Sequence, residues 1–83
     1  MLVSAKTDSK KLAGFIARDL KFKLELVMIG AGALNQAIKA IIIAKGYLAS
    51  SGYTILVSPS FTNVTVEGAE KSGIRLIIEK INA

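Results

Sequence analysis

The 83-residue sequence has no cysteine, histidine or tryptophan and only one proline. Without cysteine it can form no disulfide, thiolate nucleophile or cysteine-ligated zinc site. Without histidine it cannot assemble a Ser-His or Cys-His catalytic pair or an imidazole metal site. We therefore expect a protein that is not an enzyme, with no catalytic residues, no metal ligands and no cofactor.

Acidic residues are scarce as well. Six Asp and Glu stand against eleven Lys and Arg, which gives a net charge of +5. None of the six lies between Glu25 and Glu67, so the central stretch has no carboxylate to act as a general base. The positive balance predicts affinity for polyanions such as DNA or RNA.

Long hydrophobic runs are also absent. The most apolar stretch, residues 37–48, is too short to span a bilayer and is interrupted by Lys39 and Lys45. The N-terminus lacks the basic stretch and long apolar run of a secretory signal. We therefore expect a cytoplasmic protein with no membrane partner.

Hydrophobic residues nevertheless make up 52% of the chain. This is more apolar side chain than an isolated sphere of this size needs, and a short chain buries only part of its surface on folding. We expect one domain over residues 1–83, with part of its apolar surface buried between subunits.

Periodicity and turn residues predict the order β-α-β-α-β-β. Strands are expected at residues 2–5, at 24–29 and at 53–58, where Pro59 ends the strand. A C-terminal hairpin follows, with strands near 63–67 and 74–79 and residues 68–73 as the turn. Helices are expected from about residue 9 to 22 and from 33 to 45, and Gly46 stops the second.

The first helix is amphipathic, because Leu12, Ile16 and Leu20 line one face. Its outer face is basic and carries Lys10, Lys11, Arg18 and Lys21.

The second helix has only one narrow polar stripe, formed by Asn35, Gln36 and Lys39 and continued by Ile42 and Ile43. One sheet cannot cover every side of such a helix, so Ile42 and Ile43 are predicted to form an oligomer interface. The alternative is that the first helix or the hairpin covers them within the monomer.

A glycine turn, Gly30-Ala31-Gly32, precedes this helix. Free N–H groups and the helix dipole at such a place favour an anion such as a phosphate. The alternative is that the glycines only allow a tight turn and close packing.

One run is distinctive: residues 29–40 read IGAGALNQAIKA, followed by Ala44-Lys45-Gly46 and later by Pro59-Ser60-Phe61-Thr62. In these residues the chain resembles the stage V sporulation protein S family from residue 2 to about residue 79. The resemblance implies an Alba-like α+β sandwich of the α/β class, with a four- to five-stranded mixed sheet and two helices packed on one face. It also implies a cytoplasmic protein of late sporulation in spore formers, assigned to nucleic-acid binding through its fold.

Alba-type proteins are dimers that hold nucleic acid with lysines after the first strand, with basic residues at the start of the second helix, and with the hairpin. This sequence departs from them in the middle group, where Gly30 and Gly32 replace arginines. The polar stripe of the second helix therefore becomes the stronger candidate for binding in this region. The resulting candidate nucleic-acid residues are Lys6, Lys10, Lys11, Arg18, Gly30, Gly32, Asn35, Gln36, Lys39, Lys71 and Arg75.

Two functions remain open. The first is sequence-independent binding of DNA or RNA by a homodimer or tetramer, in which lysines neutralise phosphates. The alternative is a non-enzymatic interaction or structural module whose basic face is only solvated.

Overall fold

The computed structural model describes residues 1–83 and places two helices on one face of a four-stranded mixed sheet. The elements are β1 (Leu2–Val3), α1 (Ser9–Asp19), β2 (Lys23–Met28), α2 (Ala31–Ala49), β3 (Tyr53–Val66) and β4 (Ala69–Asn82). The strand order is β1-β2-β4-β3, in which β1 runs parallel to β2 and the other pairs are antiparallel. The predicted β-α-β-α-β-β order and Alba-like fold are confirmed.

The core lies between the helices and one face of the sheet. Alternate strand residues, among them Leu26, Met28 and Ile78, point to this helix-covered face and are almost fully buried. The helix α2 meets them with a row of buried alanines, which lets its backbone approach closely. The opposite, open face carries the other strand residues, and the only one of them that is buried is Gly73, which has no side chain.

Helix α1 ends at Asp19, three residues before the predicted end at residue 22. Leu20 adopts an extended conformation there, while its N–H still bonds to the carbonyl of Ile16. Its side chain is only 1% exposed, so the chain leaves the helix in order to bury Leu20 in the core. Packing thus overrides the helical pattern of the sequence.

The prediction that α2 spans residues 33–45 and stops at Gly46 was wrong. The helix runs through Gly46 because Leu48, one residue before its end, is anchored in the core. The chain turns instead at Gly52, whose φ of +84° favours glycine. Neither helix is long and apolar enough to cross a membrane.

The prediction that Pro59 ends the third strand was also wrong, since β3 passes through it. This strand lies at the edge of the sheet, where one side of the backbone has no partner. Counted from the Val66↔Ala69 pair that closes the hairpin, Pro59↔Leu76 is a non-hydrogen-bonded pair. The proline nitrogen therefore faces the free edge, and no ladder bond is lost.

The hairpin turn is shorter than the predicted residues 68–73. It consists of Glu67 and Gly68, whose φ values of +50° and +79° are those of a two-residue type I′ turn. The pairs from Thr62↔Gly73 to Val66↔Ala69 have no β2 partner, so the end of the hairpin extends beyond β2.

Candidate nucleic-acid interface

The loop after β1 and the first turn of α1 present three lysines to solvent: Lys6, Lys10 and Lys11. Asp8 caps the helix, because its Oδ1 accepts from the backbone N–H of Lys10 at 2.9 Å and of Lys11 at 3.2 Å. The N–H groups of Lys11 and Lys10 lower the pKa of Asp8 below its ordinary 3.8. The Asp8 carboxylate is thus hydrogen-bonded to the backbone at the start of α1.

Gln36 joins this loop to α2. Its Nε2 donates to the carbonyl of Thr7 at 2.8 Å, and Lys39 Nζ donates a long bond to Gln36 Oε1 at 3.5 Å. The half-buried glutamine therefore holds Lys39 beside the loop that carries Lys6. Sequence reasoning missed Thr7, whose contribution is a backbone carbonyl that no side-chain pattern reveals.

At both positions of the turn, the local structure favours glycine. Gly30 has a φ of +92° at the start of α2, and a Cβ on Gly32 would lie 3.0 Å from Ala5 Cβ. The turn thus lets α2 begin against the loop after β1, as the packing alternative describes. Anion binding at this turn stays a prediction.

These contacts create a surface that we name the cationic edge, consisting of Lys6, Lys10, Lys11 and Lys39. All four side chains are exposed. Asp8 is the carboxylate within this segment, and it is engaged by the start of α1. The other five lie elsewhere: Asp19 beside Arg18, Glu25 beside Arg75, Glu79 on the open face, and Glu67 and Glu70 at the hairpin end.

Three predicted cations do not join the cationic edge, namely Arg18, Arg75 and Lys71. Arg18 lies about 12 Å from Lys10 along the axis of α1 and pairs with Asp19 at 3.3 Å. Arg75 lies on the open face, where its Nε is 3.7 Å from Glu25 Oε1 and donates to Ser60 Oγ at 3.2 Å.

Lys71 is exposed on the part of the hairpin beyond β2, opposite Val64. Asn35 is exposed on α2, and its side chain makes no hydrogen bond within the chain. Lys71 therefore stands apart from the cationic edge, whereas Asn35 lies one helical turn before Lys39 on the same face of α2.

The predicted oligomer residues differ in exposure. Ile42 is 62% exposed and points outward from α2, and Ile38 on the same side is 39% exposed. Ile43 is half-buried against the core. Beside this outer side of α2, Phe61 of β3 borders a hollow that Leu34 also lines.

Taken together, these features define a class: a small Alba-like α+β domain with a lysine-rich edge and an apolar outer helix surface. The chain matches the model of the family Stage V sporulation protein S (SpoVS) over residues 1–81, and it belongs to that family. The resemblance in the sequence is confirmed, and the chain is a sporulation-related protein.

Proposed function

We propose that this chain is a non-enzymatic cytoplasmic protein that binds DNA or RNA without reading its sequence, as a homo-oligomer that regulates sporulation in spore formers. The observation that carries the proposal is the Gln36–Thr7 bond of 2.8 Å, which gathers lysines from two elements into the cationic edge. Like charges gathered on one edge without free carboxylates attract a polyanion.

The chemistry of the cationic edge favours phosphates over bases. Lysine is a flexible point charge, and it neutralises phosphate without the two-point geometry that reads a base edge. Gln36, whose amide is of a kind that can read adenine, has both ends of its side chain engaged within the protein. The expected binding is therefore independent of sequence, with Kd values of about 10⁻⁴ to 10⁻⁶ M at physiological salt.

Self-association fits the same proposal. The exposed Ile38 and Ile42 form an apolar surface on a chain that carries a net charge of +5. Burying this surface against a second copy removes it from water and doubles the number of cationic edges in one particle.

The test compares two lysines of the same helix. Lys39→Ala removes a member of the cationic edge, whereas Lys45→Ala makes the same change of charge six residues later in α2, away from Gln36. We expect Lys39→Ala to weaken duplex binding and to reduce the slope of log K against log salt by roughly one phosphate contact. Lys45→Ala should retain nearly the slope of the unmodified protein.

Mobility-shift titrations over a range of salt concentrations measure both effects. The proposal fails if neither duplex DNA nor duplex RNA is retained at low salt by tens of micromolar protein. Equal effects of the two variants would instead place the binding site outside the cationic edge. A protein partner that survives nuclease treatment, with no nucleic-acid binding, would favour the interaction module.

A further inference from the structure

A second group of lysines lies at the other end of the molecule, where α1 has ended and β2 begins. The sequence there reads Lys21-Phe22-Lys23, and all three side chains are exposed. The ring of Phe22 is 63% exposed, and Lys23 Nζ lies 5.9 Å from its centroid. An exposed aromatic ring between two cations is thus presented at this end.

The sheet extends this arrangement. The carbonyl of Phe22 accepts from the N–H of Lys80 at 3.0 Å, which continues the β2–β4 register by one step. Lys80 Nζ in turn lies 4.6 Å from the ring centroid of Tyr53 on β3. Phe22, Lys80 and Tyr53 therefore lie on three adjacent backbone segments, with the Lys80 ammonium over the ring of Tyr53, and we name this group the aromatic row.

Charge at this end is mainly positive. Lys21, Lys23 and Lys80 lie in or beside the aromatic row, while Asp19 is engaged by Arg18. Glu79 projects to the opposite face of the sheet from Lys80, because neighbouring strand residues alternate. It lies across from Lys23 in the β2–β4 register, although the Lys23 Nζ remains 5.9 Å from the Phe22 centroid.

We propose that the aromatic row is a second binding site, which takes single-stranded nucleic acid by stacking a base on Phe22 while Lys21, Lys23 and Lys80 contact the flanking phosphates. The inference rests on the proposed function and extends it from duplex backbone to unpaired bases. The cationic edge lies at the start of α1 and the aromatic row beyond its end, so the two sites are separate.

The combination of groups identifies the ligand. A flat ring with cations beside it matches a base with its phosphates, because every base has a π-face and every nucleotide a negative charge. A duplex hides its base faces inside the stack and cannot use Phe22. Phe61 is more exposed, at 85%, but no Lys or Arg lies over its ring, and it borders the apolar hollow beside α2.

The experiment uses two substitutions at one position and two strands of equal charge. Phe22→Leu keeps an apolar side chain but removes the π-face, whereas Phe22→Trp keeps it and supplies the only tryptophan of the chain. The probes are a short oligothymidylate and an abasic strand of the same length. Binding is measured by fluorescence anisotropy of the labelled strand, and stacking by the tryptophan emission of Phe22→Trp.

We expect Phe22→Leu to weaken oligothymidylate binding by about 5- to 150-fold, the range for loss of one stacked base, and to leave the abasic strand nearly unaffected. Oligothymidylate should quench the Phe22→Trp emission, and the abasic strand should not. Equal binding of both strands by Phe22→Leu and the unmodified protein, or no quenching, overturns the inference.

The outcome also separates this inference from the proposed function. If Lys39→Ala weakens duplex binding while Phe22→Leu leaves oligothymidylate binding unchanged, only the aromatic row is refuted. If Phe22→Leu acts as expected and Lys39→Ala has no effect on duplex binding, the cationic edge is refuted instead. Failure of the unmodified protein to bind any of these strands refutes both.

Discussion

Single small residues decide how closely the elements of this fold approach one another. Gly73 lies in β4 and is buried where the hairpin passes the end of β2. A Cβ at this position would lie 2.8 Å from the carbonyl oxygen of Met28, a backbone atom that cannot rotate away. The hairpin can therefore pass the end of β2 only because residue 73 has no side chain.

This contact leads to a prediction about stability. Gly73→Ala should lower the free energy of unfolding by about 1–3 kcal/mol, the usual cost of overpacking, although alanine is otherwise the better strand residue. Urea unfolding followed by circular dichroism measures the change. The control is Gly14→Ala in the middle of α1, where a Cβ meets nothing within 4 Å.

Gly14→Ala should raise stability by up to about 1 kcal/mol through helix propensity alone. If Gly73→Ala also proves at least as stable as the unmodified protein, the close approach of Met28 has no energetic importance.

At the same scale, sequence reasoning identified the residues of the polar stripe better than their roles. It selected Gln36 as a ligand contact, whereas the side chain connects α2 to Thr7. An amide can serve both purposes, and the choice depends on a carbonyl that lies 29 residues away in the chain.

Among the elements, α1 depends on how its first turn is capped. Asp8 accepts two backbone N–H groups there, and these lower its pKa from the ordinary 3.8. A carboxyl whose pKa is lower in the folded chain than in the unfolded chain contributes stability above the unfolded value. That contribution is lost as the pH falls through the folded value.

Asp8→Asn tests this contribution, because asparagine keeps the capping oxygen but has no charge. The unmodified protein should have the higher Tm at neutral pH, and the difference should shrink as the pH falls below 3.8. Thermal unfolding of both proteins across this range provides the measurement. A difference in Tm that does not depend on pH would show that the charge of Asp8 does not stabilise α1.

The whole molecule exposes large apolar side chains on two opposite sides. One is the outer side of α2 with Ile42, and the other is the open face of the sheet with Leu56, which is also more than half exposed. The proposed homo-oligomer uses the first surface. The free edge of β3 is a poor alternative for a second copy, because Pro59 cannot donate a hydrogen bond there.

Ile42→Glu should therefore dissociate the oligomer, since burying the new carboxylate without a partner is costly. The matched control, Leu56→Glu on the open face, should leave the oligomer intact. Light scattering coupled to size exclusion measures both, with 8.8 kDa as the mass of one chain. A monomer for the unmodified protein, or dissociation by Leu56→Glu alone, would contradict the assignment of the interface to α2.

The sequence by itself determined the order of the elements, the two helices, the basic excess and the absence of cysteine and histidine chemistry. These follow from composition and from periodicity, which act over a few neighbouring residues. The lack of carboxylates along the chain around the polar stripe of α2 could also be read directly, because no Asp or Glu lies between Glu25 and Glu67. The fold nevertheless brings Thr7, the neighbour of Asp8, against Gln36.

Only the tertiary structure decided where the elements end and which cations meet. Gly46 and Pro59 are local stop signals, yet burial of Leu48 and the edge position of β3 override them. The Gln36–Thr7 bond gathers the cationic edge, and the β2–β4 register brings Phe22 beside Lys80. These outcomes depend on contacts between residues far apart in the chain, which local propensity does not contain.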